Sequence, residues 1–293
     1  MAVLTAQGIS SLAIELLTRL LVLPMTASRV PGGEFAGSNG DTITVRVPQP
    51  STARTQSTPG ATITYDDVDE VAVDVTLAHL YHAKLVSDEE LSLNLEDFGR
   101  QITRVQVAAV ATRAENQMAT VMNNLSSDLT VEVDGSNIDE VILEAREMLG
   151  RANVPLTDRW LAVSPEVATF LLAADLLARV DASGSSSALR EAIIGRYRGF
   201  TVVESSGLAA GRAAAYHQSG FAFANRVPVS PRGATSTATA EAGGIGMRQI
   251  FQYVPDKLSD ATVVSTFAGA VAVPDNDSGT EFPRIVVLET ATS

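Results

Sequence analysis

Val68 to Leu85 reads VDEVAVDVTLAHLYHAKL, eighteen residues along which apolar and polar side chains alternate. Val71, Val73, Val75, Leu77, Tyr81, Ala83 and Leu85 fall on one face of an extended chain, with Ala72, Asp74, Thr76, His82 and Lys84 mainly on the other. A period of two marks a β-strand with one covered face. This run is about three times a usual strand, and at roughly 3.3 Å per residue it reaches on the order of 60 Å. A compact domain of this size cannot bury an arm that long, so the sequence predicts that another molecule covers part of it.

A partner strand lies upstream. The loop Val30 to Gly40 (VPGGEFAGSNG) leads into Asp41 to Val47 (DTITVRV), where Ile43, Val45 and Val47 alternate with Thr42, Thr44 and Arg46 until Pro48 ends the strand. Residues 48–60 (PQPSTARTQSTPG) hold three prolines and no large apolar side chain, which predicts a flexible tip. Acids crowd the return strand at Asp66, Asp67, Asp69, Glu70 and Asp74, with Arg46 and Arg54 across the hairpin. Five carboxylates this close raise a divalent-cation site, but the spacing lacks the glycine turn and terminal Glu of a calcium loop. A solvated acidic face that meets arginines of a neighbouring subunit fits better, with Arg100 and Arg104 as candidates. His79 and His82, three apart on a strand, point to opposite faces and cannot share one metal.

Downstream, Ser87 and Glu90 stand at capping-box spacing and Asn94 offers a second cap. Leu95, Phe98, Ile102, Val105 and Ala109, then Met118, Met122 and Leu125, follow a helical rhythm. Leu95 to Leu125 therefore reads as one rod of about thirty-one residues, roughly 46 Å long, with Glu96, Arg100 and Arg104 in an outer row. Near the N-terminus, Ile9 to Leu23 (ISSLAIELLTRLLVL) reads as an amphipathic docking helix stopped by Pro24 and too short to cross a bilayer.

The second half is α/β in texture. Asn137 to Leu149 is a capped helix ending at Gly150, Trp160 to Val163 a strand, and Pro165 to Ala174 a helix behind Ser164. Ser183 to Ser187 reads as an exposed loop and Leu189 to Ile194 as a short helix. Phe200 to Glu204, Gly220 to Ala224, Gly246 to Tyr253, Ala261 to Val273 and Arg284 to Glu289 read as strands, and Pro228 to Gly244 as a second flexible loop.

Composition narrows the function. The 293 residues carry a net charge of −13, are 45% apolar and only 5% aromatic, and contain no cysteine, which excludes disulfides and thiolate metal sites. Lys84 and Lys257 are the two lysines, and the 21 basic residues form no run, which argues against tight nucleic-acid binding. No G-x-S-x-G elbow, Walker loop, H-E-x-x-H or dinucleotide fingerprint occurs. Gly243-Gly244-Ile245-Gly246 reads as a flexible turn, and His217 has only Ser219 or a distant Asp to pair with. The chain reads as a non-enzyme without cofactor or metal.

The order of these parts, an N-terminal helix, a two-stranded arm, a long helix, an α/β lobe and late strands, resembles the major capsid (coat) proteins of tailed bacteriophages, in the branch that uses a separate scaffolding protein. The local likeness lies in GDTITVRVP (Gly40 to Pro48), VDVTLAHLYHAKLVSDEELSLNLEDFGRQI (Val73 to Ile102), IGRYRGFTVVESSGL (Ile194 to Leu208), AYHQSGFAFANRVP (Ala215 to Pro228) and GMRQIFQYVPDKLSDATVVSTFAGAVAVPD (Gly246 to Asp275). It implies an α+β capsid fold with an N-terminal arm helix (1–28), an extended β-hairpin arm (29–86), a peripheral domain with a spine helix (87–128 and 263–293) and an axial domain (129–262). It also implies self-assembly through hexamers and pentamers into an icosahedral shell around double-stranded DNA, assembled in the host cytoplasm. The implied partners are other copies, a scaffolding protein, a portal protein, a decoration protein as a further candidate, and packaged DNA by weak non-specific contact, with no membrane. About 28 residues precede the arm, which is the expectation behind a separate scaffold. Residues 29–83 contain no lysine, so covalent cross-linking of the arm through lysine is not expected. The competing readings are a cellular nanocompartment shell on the same fold and a small-oligomer α/β enzyme.

Overall fold

A computed structural model of the chain describes residues 21–29, 42–48, 53–56, 58–60, 62–65, 70–90, 102–174, 193–242, 245–276 and 279–291. The predicted long strand is present, but it changes partner at Leu77. Its first part, β3 (Glu70–Thr76), forms an antiparallel hairpin with β2 (Thr42–Pro48), in register from Thr42 opposite Thr76 to Pro48 opposite Glu70. Its second part, β4 (Ala78–Ser87), leaves the hairpin and pairs along its whole length with β13 (Ser259–Ala272). The covered face changes as well: Val73 and Val75 are buried in β3, but Leu80 and Val86 in β4. Tyr81 and Leu85, expected on the inner face, are exposed. One unpaired residue exchanges the two faces, because side chains repeat every second position.

The capping box forms as expected. The Glu90 N–H donates to Ser87 Oγ at 3.2 Å, and the Ser87 N–H donates to Glu90 Oε2 at 3.3 Å. Leu95, Glu96, Phe98 and Arg100 lie outside the described residues, and the described rod is a helix over Arg104–Asn124. Its buried stripe runs through Val107, Val110, Ala111, Ala114, Met118 and Met122, leaving Val105 and Ala109 exposed, contrary to the expected phase. At the N-terminal side Pro24 does not end a helix; it opens a short turn, α1 (Leu23–Thr26), and Ile9 to Leu20 lie outside the described residues. The rod is called α2 below.

Two sheets sandwich α2. The first runs β1 (Ser28–Arg29), β10 (Phe221–Arg226), β13, β12 (Ile245–Val254), β11 (Ser236–Ala242), with β4 on the free edge of β13. The second runs β5 (Leu129–Val131), β14 (Ile285–Thr290), β9 (Arg212–His217), β6 (Arg159–Val163), β8 (Phe200–Glu204), β7 (Ile193–Tyr197). Leu80, Phe221, Phe223, Val264 and Ala268 of the first sheet, and Ala162, Val203, Ala214, Tyr216 and Val287 of the second, pack on α2 in one core. The opposite face of the second sheet, with Leu161, Val163, Ala213, Ala215, Val286 and Leu288, packs on α3 (Ile138–Arg151) and α4 (Pro165–Ala173) in another. Covered on both faces, these strands read as apolar runs and not as alternation.

Several expectations change. Ile193 and Ile194, placed by sequence at the end of a short helix, open β7, while residues 189–192 and the loop Ser183 to Ser187 lie outside the described residues. The expected loop Pro228 to Gly244 contains β11, paired residue by residue with β12. The division of the chain differs too. The expected boundary at 262/263 falls inside β13; residues 221–272 belong to the first sheet together with β4, and β14 closes the second sheet with residues 129–217. Residues 78–86, assigned by sequence to the arm, are part of the body.

Candidate inter-subunit surface

Of the charged residues singled out above, the described hairpin holds Arg46, Arg54, Glu70 and Asp74. The Thr44 hydroxyl donates to Asp74 Oδ1 at 2.7 Å, and Arg46 pairs diagonally with Glu70 at 3.4 Å. Towards the tip Arg54 donates to the Thr64 carbonyl at 3.2 Å. All are solvent-exposed, where such pairs add little stability. Asp66, Asp67, Asp69 and Arg100 lie outside the described residues. Arg104, exposed, opens α2. Asp74 borders an open cleft with Val121, Asn124 and Leu125 at the other end of that helix. The 21-residue helix separates the two by roughly 30 Å at 1.5 Å per residue. Asp74 and Arg104 of one copy therefore cannot meet, and a contact between them requires two copies.

The base of the hairpin is held by its own subunit. Ile43 and Val75 pack with Ala224 and Val271, and Val73 with Ala222 and Val273, on the face of the first sheet turned away from α2. The far part is open: Tyr65 is 83% and Ile63 54% exposed. Sequence reading ended the tip at Gly60 and passed over these two; their signal was the alternation in ATITY (61–65). A second apolar group lies at the opposite end of β13. Leu85 faces Ala261 across the β4–β13 pair, and Leu258 protrudes from the β12–β13 turn. Beside them Arg104 and Val105 precede Gln106, which donates to the carbonyls of His82 and Thr262. Val105 and Leu258 are both more than half exposed.

The remaining candidates are structural. His79 lies on the outer face, its ring 4.6 Å from Phe267, while His82 points inward, its backbone bonded to Gln106. Among the described residues no group of three or more His, Asp or Glu side chains is placed to hold a metal ion. The His217 Nδ1 lies 2.8 Å from Ser219 Oγ and accepts from the Ser219 N–H, capping the turn Gln218–Gly220, and Arg284 donates to the same hydroxyl. Burial holds this imidazole below its ordinary value. Asp139 receives Arg198 through both oxygens and the Tyr197 hydroxyl through one, and these bonds hold its carboxyl below the usual range. That clamp ties the β7–β8 turn to the start of α3. No described helix is long and apolar enough to cross a membrane.

The sequence matches no family model and no curated protein. Solved structures do match, over nearly the whole chain. The capsid of Ralstonia phage GP4 superposes with a TM-score of 0.64 at 10% identity, covering 94% of this chain and 90% of that one. A structure from Mycobacterium phage Che8 gives 0.60 at 20% identity, with 92% and 90% covered. A virus-like particle from Pyrococcus furiosus gives 0.55 at 15% identity, with 97% and 98% covered. The chain has the mixed α+β fold of tailed-phage major capsid proteins.

Proposed function

We propose that this chain is a structural shell protein, a major capsid protein that assembles through hexamers and pentamers into an icosahedral shell around double-stranded DNA. The observation that carries this reading is the likeness to phage capsids over more than nine-tenths of the chain. A scaffolding protein, a portal protein and a decoration protein belong to the same reading, as do assembly in the host cytoplasm and residence in the virion. In the assembly the hairpin acts as a non-covalent clamp. Its acids, Asp66, Asp67, Asp69, Glu70 and Asp74, face Arg100 and Arg104 of a neighbour, and Ile63 and Tyr65 settle beside that neighbour's Val105, Leu85 and Leu258. The hairpin base with Asp74 and the group of Arg104, Leu85 and Leu258 lie towards opposite ends of β13, which suits a head-to-tail contact in a ring of copies. Many such contacts, each of a few kcal/mol, hold a closed shell.

Negative-stain microscopy of the expressed protein, alone and with a candidate scaffold, tests the reading. Shells or capsomer rings are expected; stable monomers or dimers under every condition would overturn it. Reversal of Asp66, Asp67 and Glu70 to Lys is expected to abolish shells while circular dichroism and thermal unfolding stay near wild type. Normal shells from that variant would remove the clamp but leave the capsid reading standing. The second reading is a cellular nanocompartment shell on the same fold, which would enclose protein cargo; the virus-like particle from Pyrococcus furiosus shares the fold over almost all of both chains. Nuclease-protected DNA in particles purified from the native source separates the two.

A further inference from the structure

Glu115 sits on the buried stripe of α2, 7% exposed, among Val110, Ala111, Ala114 and Met118. Its carboxylate is turned onto the segment 21–29. Oε2 accepts the Val22 N–H at 3.0 Å, both oxygens accept the Leu23 N–H at 3.1 Å, and Oε1 accepts the Ser205 hydroxyl at 3.1 Å. The same segment buries Leu21, Leu23, Thr26 and Ala27, bonds Thr26 to the Tyr216 hydroxyl, and then lays Ser28 and Arg29 parallel to β10. It is a strap lying across the core, with the Glu115 carboxylate holding the Val22 and Leu23 N–H groups near its start.

We propose that residues 21–29 form a releasable strap whose hold on the body is set by the protonation of Glu115. The chemistry favours the neutral acid when the strap is down. No cation is paired with the carboxylate among the described residues, so three hydrogen-bonding groups alone offset the loss of water around a charge. A neutral carboxyl keeps the geometry: Oε2 still accepts from Val22 and Leu23, while a proton on Oε1 is donated to Ser205 Oγ. The surrounding titratable groups do not compete. The strap carries none before Arg29, Glu204 beside Ser205 is half-buried, Arg104 and Arg113 of α2 are exposed, and the Tyr216 phenol, coupled to Glu115 by charge, is itself raised by burial. Burial outweighs the bonds from Leu23, Ser205 and Val22 and pushes the Glu115 carboxyl from 4.5 up to about 7.

The sign follows from proton uptake. A released strap returns Glu115 to water and to its ordinary value, so docking binds a proton between pH 4.5 and about 7. The hold is strongest below that window, weakens as pH rises through it, and stays at the weaker level above. Between pH 5 and pH 8 the ratio of docked to released strap falls roughly seventyfold.

Hydrogen exchange on the full-length, unassembled chain measures this, as protection factors of peptides covering 21–29 and, as a reference, β6. Strap protection is expected to fall by tens of fold from pH 5 to pH 8, and to stay below that of β6. In Glu115→Gln, which has the hydrogen-bonding pattern of the neutral acid, strap protection is expected to be flat with pH and to lie about fourfold above wild type at pH 5, the limit that wild type approaches at lower pH. Flat or rising protection in the wild-type chain overturns the proposal, and that result stands even if the variant does not fold.

Discussion

Gly269 shows how much a single position carries. A Cβ there would lie 2.3 Å from the Thr76 carbonyl oxygen and 3.1 Å from Val75 Cγ1. This is where the chain leaves the hairpin and joins β13, so two backbones pass closer than any side chain allows. Gly269→Ala is expected to cost about 1–3 kcal/mol, the usual price of overpacking a filled site, read as a lowered denaturant midpoint. A loss below about 0.5 kcal/mol would mean that the crossing is looser than it looks. The sequence marks such a place, since glycine inside an apolar strand signals close approach, but it does not say what approaches. Glu115 is less legible still. A glutamate among Arg113, Asn116 and Gln117 reads as surface charge, and only the arrival of the strap makes it a buried anchor.

At the scale of elements, α2 ends without a basic residue in its last turn. Arg212 of β9 takes that role, donating to the carbonyls of Met122, at 3.3 Å, and of Leu125, while its other side reaches Glu289 at 3.5 Å. A guanidinium at a helix C-terminus satisfies open carbonyls and opposes the helix dipole. Arg212→Met, similar in length, leaves those carbonyls buried without donors and is expected to cost about 2 kcal/mol, lowering Tm by several degrees. An unchanged Tm would show that the helix end is held by packing alone. The elements that sequence reading recovered have bulky or capped signatures, such as FTVVE (200–204) and the Ser87–Glu90 box. Among those it missed are RAAAYH (212–217), a run of small apolar residues without alternation, and STATAEA (236–242), whose alternation rests on alanines too small to mark a covered face, so that pairing with neighbours decides the state.

For the whole molecule the charge of −13 is the widest-reaching feature. In the proposed shell a wall of this sign would repel a polyanion weakly and leave duplex DNA free to slide. Filter binding with double-stranded DNA at 50–200 mM salt is expected to show no retention by the purified subunit. Retention with a steep dependence on salt would mean a cationic surface that the fold assembles from scattered arginines. The division into two sheets around a shared helix also belongs to this scale. Sequence reading joined 263–293 to 87–128 but cut inside β13 and left 78–86 in the arm, whereas the sheets place β4 beside β13 and β5 beside β14.

What could be read from the linear chain was local: the period of two from Val68 to Leu85, the hairpin, the capping box, the helical stripe and the lack of catalytic motifs. Each depends on residues a few positions apart, and neighbouring side chains and backbone groups settle such matters alone. The folded molecule decided which strand pairs with which, which face of β4 turns inward, and why Glu115 is buried. Those depend on contacts between residues some ninety or more positions apart, such as Glu115 with Leu23 and Leu80 with Thr266, and no local pattern specifies the partner that will cover a given surface.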